Sequence, residues 1–434
     1  VASITSEGSP PNRRTEQFEV VIRNARVRGD AGDVCSVGIS GGLIAAVETT
    51  PLNGSLEIDA GGDLVVAPFV DAHLHLDKVY TTDLVDDRSL NAYKSKSMGG
   101  SLEAIHLASR VKASLKEEAI YRNARRAILE GLRHGVTYVQ AFVDTDTRAR
   151  LEGINAVLRL RSEFEGTVKI RVVAFPQEGI VRDKGAEVWI RKALELGADV
   201  VGGIPWIESS DREAQRHVDI VLDLAAEYAR PVAMLVDDAA DPGLRTTEML
   251  AIGALDRGIK GAVACHARAM SAYPEPYFRR FIELVREAGI AFVSDPHTGS
   301  AHLRVFDLVE AGIPVALGQD DIEDAYYQYG QHNMLEVAFL ASHILNASTF
   351  AEMDTLLDLV THAGRRVLGL PENHLRVGEP ADLVVLHGSS VRNALKSHYP
   401  PRYVMSQGRI VVSSEIGTVF RTDLPDHVAG EVGI

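Results

Sequence analysis

Apolar residues along this chain fall into short continuous runs that alternate with longer segments of helical spacing. The runs are APFVDAHLH (67–75), VTYVQAFVD (136–144), VKIRVVAFP (168–176), ADVVGGIPW (198–206), PVAMLVDD (231–238), GAVACHA (261–267), IAFVSDP (290–296) and IPVALGQDD (313–321). Strands that are apolar throughout are those buried on both faces, as in a parallel sheet. Between most of the runs, segments such as EEAIYRNARRAILEGLRHG and EPYFRRFIELVREAG carry apolar residues at helical spacing and end on glycine, the pattern of an amphipathic helix with its cap. Strand and helix alternating in this way predict a (β/α)8 barrel over 67–371. The longer interval after the first run, which includes NAYKSKSMGGSLEA, predicts an extended loop over the barrel mouth.

The two ends of the chain read differently. EVVIRNARV, VCSVGIS and LIAAVE near the start, and ADLVVLHG (381–388) and RYVMSQGRIVV (402–412) near the finish, are short strands separated by glycine turns. They predict a small β-sandwich that both ends build together, over 18–66 and 372–424. The opening stretch, 1–17, is polar and rich in serine and proline, which predicts a mobile leader and not a signal peptide.

Composition narrows the partners. The chain has 434 residues, 46% of them hydrophobic, enough for a large core. Its formal net charge of −15 argues against nucleic acid, whose phosphates are met by clustered Lys and Arg. No apolar run approaches a membrane span. Cys35 and Cys265 are the only two cysteines and form no close pair, so neither a disulfide framework nor a thiolate metal site is indicated. A reducing compartment, the cytoplasm, is the expectation.

In a (β/α)8 barrel the chemistry sits at the C-terminal ends of the strands. Polar residues stand at these ends in the sequence: His73 and His75, Asp144, Gln177, Asp237 and Asp238, His266, Asp295 and His297, Asp320 and Asp321. Strand alternation puts His73 and His75 on one face, where two imidazoles can share a metal ion. Singly, each of these residues reads first as a loop-start cap or a solvated turn residue. In the loop after strand seven, DPHTGSAHL, His297 reads first as an exposed loop histidine. Cys265, beside His266, reads as core packing.

Together HLHLD at strand one, AFPQEG (174–179), LGADVVGGIP (196–205), ACH followed by AMSAY, GQDDIEDAYYQYG (318–330) leading into NMLEV, and the closing GEPADLVVL resemble the amidohydrolase superfamily. Within it they resemble the cytosine deaminase group and its triazine-hydrolysing relatives. The resemblance implies one divalent metal, zinc or iron, on His73, His75 and Asp320, with Asp320 also taking the proton of the attacking water. It implies that His266 hydrogen-bonds that water, that Gln177 reads a ring amide edge, and that Asp321 holds a ring nitrogen or exocyclic amine. Tyr326 stands where cytosine deaminases carry a tryptophan that packs on the substrate ring, and His297 lies in a loop that could close over it. A homo-oligomer is compatible with the family.

Strand five departs from the pattern. The family's motif there resembles His-Cys-Asp-Glu, a metal ligand and a proton-shuttling glutamate, whereas this chain has Leu235-Val236-Asp237-Asp238. Three readings follow. His73, His75 and Asp320 hold the ion, with His266 or His297 moving in, and hydrolysis is kept. Alternatively the barrel performs lyase or isomerase chemistry with His266, Asp238 and Asp320 as acid and base, or it only binds a ligand. The expected function is hydrolysis of a C–N bond in a small cyclic nitrogen compound by metal-activated water, either deamination or opening of a cyclic amide. Asp238 delivers a proton to nitrogen in that scheme, unless it is merely a helix-capping acid.

Overall fold

The computed structural model describes residues 17–29, 34–87, 90–91, 98–299 and 301–417. Nearly all of the predicted leader and the last residues of the predicted sandwich lie outside this set. The N-terminal strands are β1 (Gln17–Val27), β2 (Cys35–Ser40), β3 (Leu43–Glu48), β4 (Asn53–Asp59) and β5 (Leu64–Val66). The long β1 joins two groups of neighbours: Val20, Val21 and Ile22 pair with β2 on one side and β4 on the other, while Arg26 and Val27 pair with β5.

All eight predicted barrel strands form. They are β6 (Phe69–Leu74), β7 (Val136–Asp144), β8 (Lys169–Phe175), β9 (Val200–Gly203), β10 (Val232–Val236), β11 (Val263–His266), β12 (Ala291–Ser294) and β13 (Val315–Leu317). Neighbours in sequence are neighbours in the sheet, and every pairing is parallel. Period-2 alternation decides which side chains fill the barrel. On β10, Ala233 and Leu235 join an inner cluster with Phe142, Phe175, Val263, Cys265 and Val293, while Met234 and Val236 pack in the cluster that includes the surrounding helices. Apolar demand on both faces is why the runs read as continuous in sequence.

The chain then returns to the first sheet with β14 (Leu383–Val385), β15 (Tyr403–Ser406) and β16 (Arg409–Ser413); β14 pairs antiparallel with β5, joining the two ends of the chain. One expectation needs correction. Part of the segment read as a loop over the mouth, GGSLEA, lies in a helix, Met98–Ser114. Its two glycines hid the helix, because glycine weakens helical propensity. Among the described residues no helix is long and apolar enough to cross a membrane.

Candidate active site

The barrel closes at the residues that matter most. Between β13 and β6 the seam is a backbone pair: Asp320 N–H donates to His73 O at 2.7 Å, and His75 N–H donates to Asp320 O at 2.8 Å. Asp71 reinforces it, one carboxylate oxygen accepting from His73 N at 3.1 Å and Gln319 N at 3.0 Å. Its other oxygen lies 3.1 Å from His332 Nε2, and the far nitrogen of that ring donates to Ala127 O. Closing the sheet therefore sets the spacing of His73, His75 and Asp320. Gly318 makes the approach feasible, since a Cβ there would stand 2.4 Å from Asp295 Oδ1 and 2.7 Å from His73 Cβ.

Asp320 Oδ1 faces three imidazoles: His73 Nε2 at 3.2 Å, His75 Nε2 at 3.9 Å and His266 Nε2 at 3.9 Å. Oδ2 is turned away, accepting from Thr298 Oγ1 at 2.6 Å with Arg268 3.8 Å off. His266 Nδ1 lies 3.2 Å from Asp295 Oδ2, a carboxylate behind the imidazole that fixes its orientation. His266, Asp237 and Asp320 all have positive φ, 67°, 47° and 66°. Such backbone costs on the order of 1–3 kcal/mol per residue and clusters at functional sites.

Burial and the neighbouring charges of Lys78 and His73 hold the His75 imidazole neutral, well below its ordinary value. Burial opposes charge on His266 too, but the Asp238 and Asp320 carboxylates win and push it up to about 9. Burial likewise opposes charge on Asp320, and the facing His266 with His73 and His75 keeps it well below the usual carboxylate range. For Asp321 burial beside Asp320 and Asp324 drives the value well upward.

The remaining predicted residues divide. Asp238 meets Arg268 Nη1 at 3.1 Å, and the helix-capping role weighed for it belongs to Asp237, whose carboxylate accepts from the backbone N–H and the hydroxyl of both Thr246 and Thr247. Gln177 is buried and accepts from Lys78 Nζ at 2.6 Å; the Tyr326 ring lies 5.5 Å from the same nitrogen. His297 is not in the imidazole cluster: its Nε2 lies 2.9 Å from Gln319 O, and its ring stands edge-on to Tyr327. Asp144 carries two lysines, Lys78 at 3.4 Å and Lys112 at 2.9 Å. Leu235 fills the inner apolar cluster.

Sequence reading missed Lys78, Lys112, Arg268 and Thr298, and also a latch under Gln177. Buried Glu208 accepts from the backbone of Ile180, Val181 and Arg182 and from His217 Nδ1 at 2.7 Å, which pins the loop after β8. For Lys78 and Arg268 the available signal was position, a charged residue just beyond a strand end; Lys112, on a helix, and the uncharged Thr298 gave none.

The histidine pair, the nearby carboxylate and His266 fit a divalent cation. Nδ1 of buried His73 and Nδ1 of His75 have no hydrogen-bond partner, and His73, His75 and Asp320 offer ligand atoms within 4.8 Å of one another. An unpartnered buried polar group costs about 1–3 kcal/mol, which a bound cation would relieve. Two further groups, His73 with His266 and Asp295, and His75 with Asp77 and Asp144, meet the same spacing. The barrel therefore presents at its strand ends a donor set that a divalent metal ion would fit.

Comparison with known proteins makes this specific. Residues 94–412 match the amidohydrolase family. An N-isopropylammelide isopropyl amidohydrolase from Pseudomonas sp. (strain ADP) is 30% identical over 93% of this chain and 99% of its own length. A pterin deaminase from Rhizobium rhizogenes is 25% identical over 81% of this chain and 82% of its own. Among solved structures, 5-methylcytosine deaminase from Klebsiella pneumoniae liganded with phosphonocytosine superposes with a TM-score of 0.84 at 29% identity, over 92% of this chain and 100% of that one. The chain belongs to the amidohydrolase family and is a hydrolase of non-peptide C–N bonds.

Proposed function

We propose that the protein removes an exocyclic amino group from a small nitrogen heterocycle, with one zinc or iron(II) ion on His73, His75 and Asp320. The observation that carries this reading is the convergence of three Nε2 atoms on Asp320 Oδ1. Three protein ligands suit catalytic zinc, and two histidines with a carboxylate also suit iron(II). Such an ion would supply Lewis acidity and lower the pKa of a bound water from 15.7 to about 7. Asp320, ionised beside charged His266, accepts the proton of the attacking water. His266, braced by Asp295, donates to the oxygen on which charge develops. Asp238 relays the proton to the departing nitrogen, and its anchor on Arg268 supports a fixed position for that transfer. Gln177, Asp321, Tyr326 and His297 line the space for the ring. The names of the relatives, an ammelide, a pterin and a methylcytosine enzyme, support the substrate class.

The test is metal analysis of protein purified without chelator, followed by a coupled ammonia-release screen over aminated pyrimidines, pterins and triazines. Near-stoichiometric zinc or iron is expected, with release from at least one ring that stops on metal removal and returns on reloading. Protein that holds no metal and gains nothing from added zinc or iron would sink the reading. Leu235→His is expected to tighten the metal by about tenfold or more in competition with a chromogenic chelator, since each second-site partner or ligand typically changes affinity by 10–100-fold. Unchanged affinity would show that position 235 does not reach the ion.

A further inference from the structure

The buried guanidinium of Arg268 lies between the two acids at opposite ends of the proposed proton path, Asp320 and Asp238. Its Nη1 meets Asp238 Oδ1 at 3.1 Å. Its Nη2 donates to Thr298 Oγ1 at 2.7 Å, lies 3.4 Å from His266 Nδ1, and stands 3.8 Å from Asp320 Oδ2, beyond hydrogen-bond length. Arg268 therefore reaches Asp320 through the Thr298 hydroxyl, which lies 2.6 Å from Oδ2. The loop after β12 is shaped to this contact. Thr298 is tied by its backbone N–H to Asp295 O at 3.2 Å, and Gly299 follows in the left-handed region at φ 80°. A Cβ at 299 would collide with Arg268 Nη1 and stand 2.8 Å from Cζ, so only glycine lets the guanidinium lie against this loop.

Donor counting fixes the direction of each bond. A guanidinium has N–H donors and no acceptor, so at Thr298 the hydroxyl oxygen must accept. The hydroxyl has one hydrogen, and two acceptors lie near it, Asp320 Oδ2 at 2.6 Å and Asp295 O at 3.0 Å. The carboxylate takes it at the shorter distance. Oδ2 is thereby held away from the imidazoles, and Oδ1 alone faces His73, His75 and His266. We infer that Arg268 and Thr298 are positioning residues: the guanidinium orients the hydroxyl, and the hydroxyl makes Asp320 present a single oxygen to the site. The same guanidinium anchors Asp238, so one side chain sets the placement of both acids. The inference rests on the reading of Asp320 as metal ligand and base. Carboxylates bind cations through one oxygen or two, and the hydroxyl removes that choice. Hydrogen-bond partners behind a ligating group typically change metal affinity or activity by about 10–100-fold.

The experiment compares wild type, Thr298→Val, Thr298→Ser, Arg268→Met and the combined Arg268→Met/Thr298→Val variant, each stripped of metal and loaded with cobalt(II). The visible band of cobalt(II) weakens as ligands are added. Valine keeps the shape of threonine and removes the hydroxyl, so the freed carboxylate can turn both oxygens to the ion; a weaker band than in wild type is expected. Thr298→Ser restores the hydroxyl and should restore the band. For the aminated ring turned over fastest in the ammonia-release screen, Thr298→Val should lower kcat by about tenfold or more with KM unchanged. Because the two residues act on one oxygen, the loss in the combined variant should fall well short of the product of the single losses. A wild-type band in Thr298→Val, a Thr298→Ser variant that behaves like valine, or losses that multiply would each overturn the inference. The Thr298 pair decides it even where Arg268→Met fails to fold. Cobalt(II) bound by wild type with no ring turned over removes the deaminase reading alone, and the spectra still decide the inference. Turnover with kcat and band both indifferent to Thr298 removes the inference alone, and wild type that binds no cobalt(II) overturns both.

Discussion

Asp320→Asn is expected to lower kcat/KM for ammonia release by about 10⁴-fold or more, roughly 5.5 kcal/mol at 1.36 kcal/mol per tenfold. A general base contributes typically 10²–10⁴-fold, and here the same carboxylate also carries the negative charge that faces three imidazoles. The change is chemical more than structural. Asparagine is among the few residues that tolerate positive φ, which position 320 requires at 66°. Its amide oxygen can still accept from Thr298 Oγ1, and the backbone pair with His73 and His75 is untouched. Steady-state ammonia release, with near-ultraviolet circular dichroism to confirm native packing, checks the prediction. A loss under tenfold in a natively packed variant would remove Asp320 from the proton path.

The barrel was legible because its demand on sequence is simple. Strands buried on both faces must be apolar throughout, so each of the eight runs announced itself, and the His-Leu-His alternation put His73 and His75 on one face before any fold was known. Asp320 was reachable only through resemblance, since a carboxylate at a strand end is ordinary. What could not be read was the backbone and the partners. Positive φ at His266, Asp237 and Asp320 leaves no trace in residue type, and it decides that Asp237 turns to cap Thr246 and Thr247 while Asp238 turns to Arg268. Nor does spacing reveal that Lys112 would meet Asp146 and Glu178, 34 and 66 residues further on.

The departure at strand five also changes meaning in three dimensions. A leucine in a ligand position reads in sequence as a lost metal site. In the barrel Leu235 extends the apolar interior shared with Phe142, whose ring lies 4.1 Å from that of His73. His266, with Asp295 behind it, is meanwhile the imidazole that faces Asp320 from β11. The site therefore retains three imidazoles and a carboxylate. One strand has dropped out of the set, and three of the pattern's four imidazoles remain directed at Asp320.

Lys112→Met is expected to destabilise the fold by about 3–5 kcal/mol, the range for removing one partner of a buried ion pair. Lys112 is buried on the helix Met98–Ser114, and its ammonium lies 2.6 Å from Asp146, 2.9 Å from Asp144 and 3.1 Å from Glu178. Burial works against this charge, but the three carboxylates hold it well above the ordinary lysine value. A folded-state value above the unfolded one means that the stabilisation is fully present below about pH 10.5 and is lost as pH rises through the folded value. At neutral pH the variant therefore suffers the whole loss, leaving buried Asp144 and Asp146 and partly buried Glu178 with Lys78 as the remaining ammonium near Asp144. Urea midpoints of variant and wild type at pH 7 check the prediction. Asp144, freed of Lys112, should also draw Lys78 from Gln177. A change in stability below about 1 kcal/mol would show that the cluster is solvated and its charges individually hydrated.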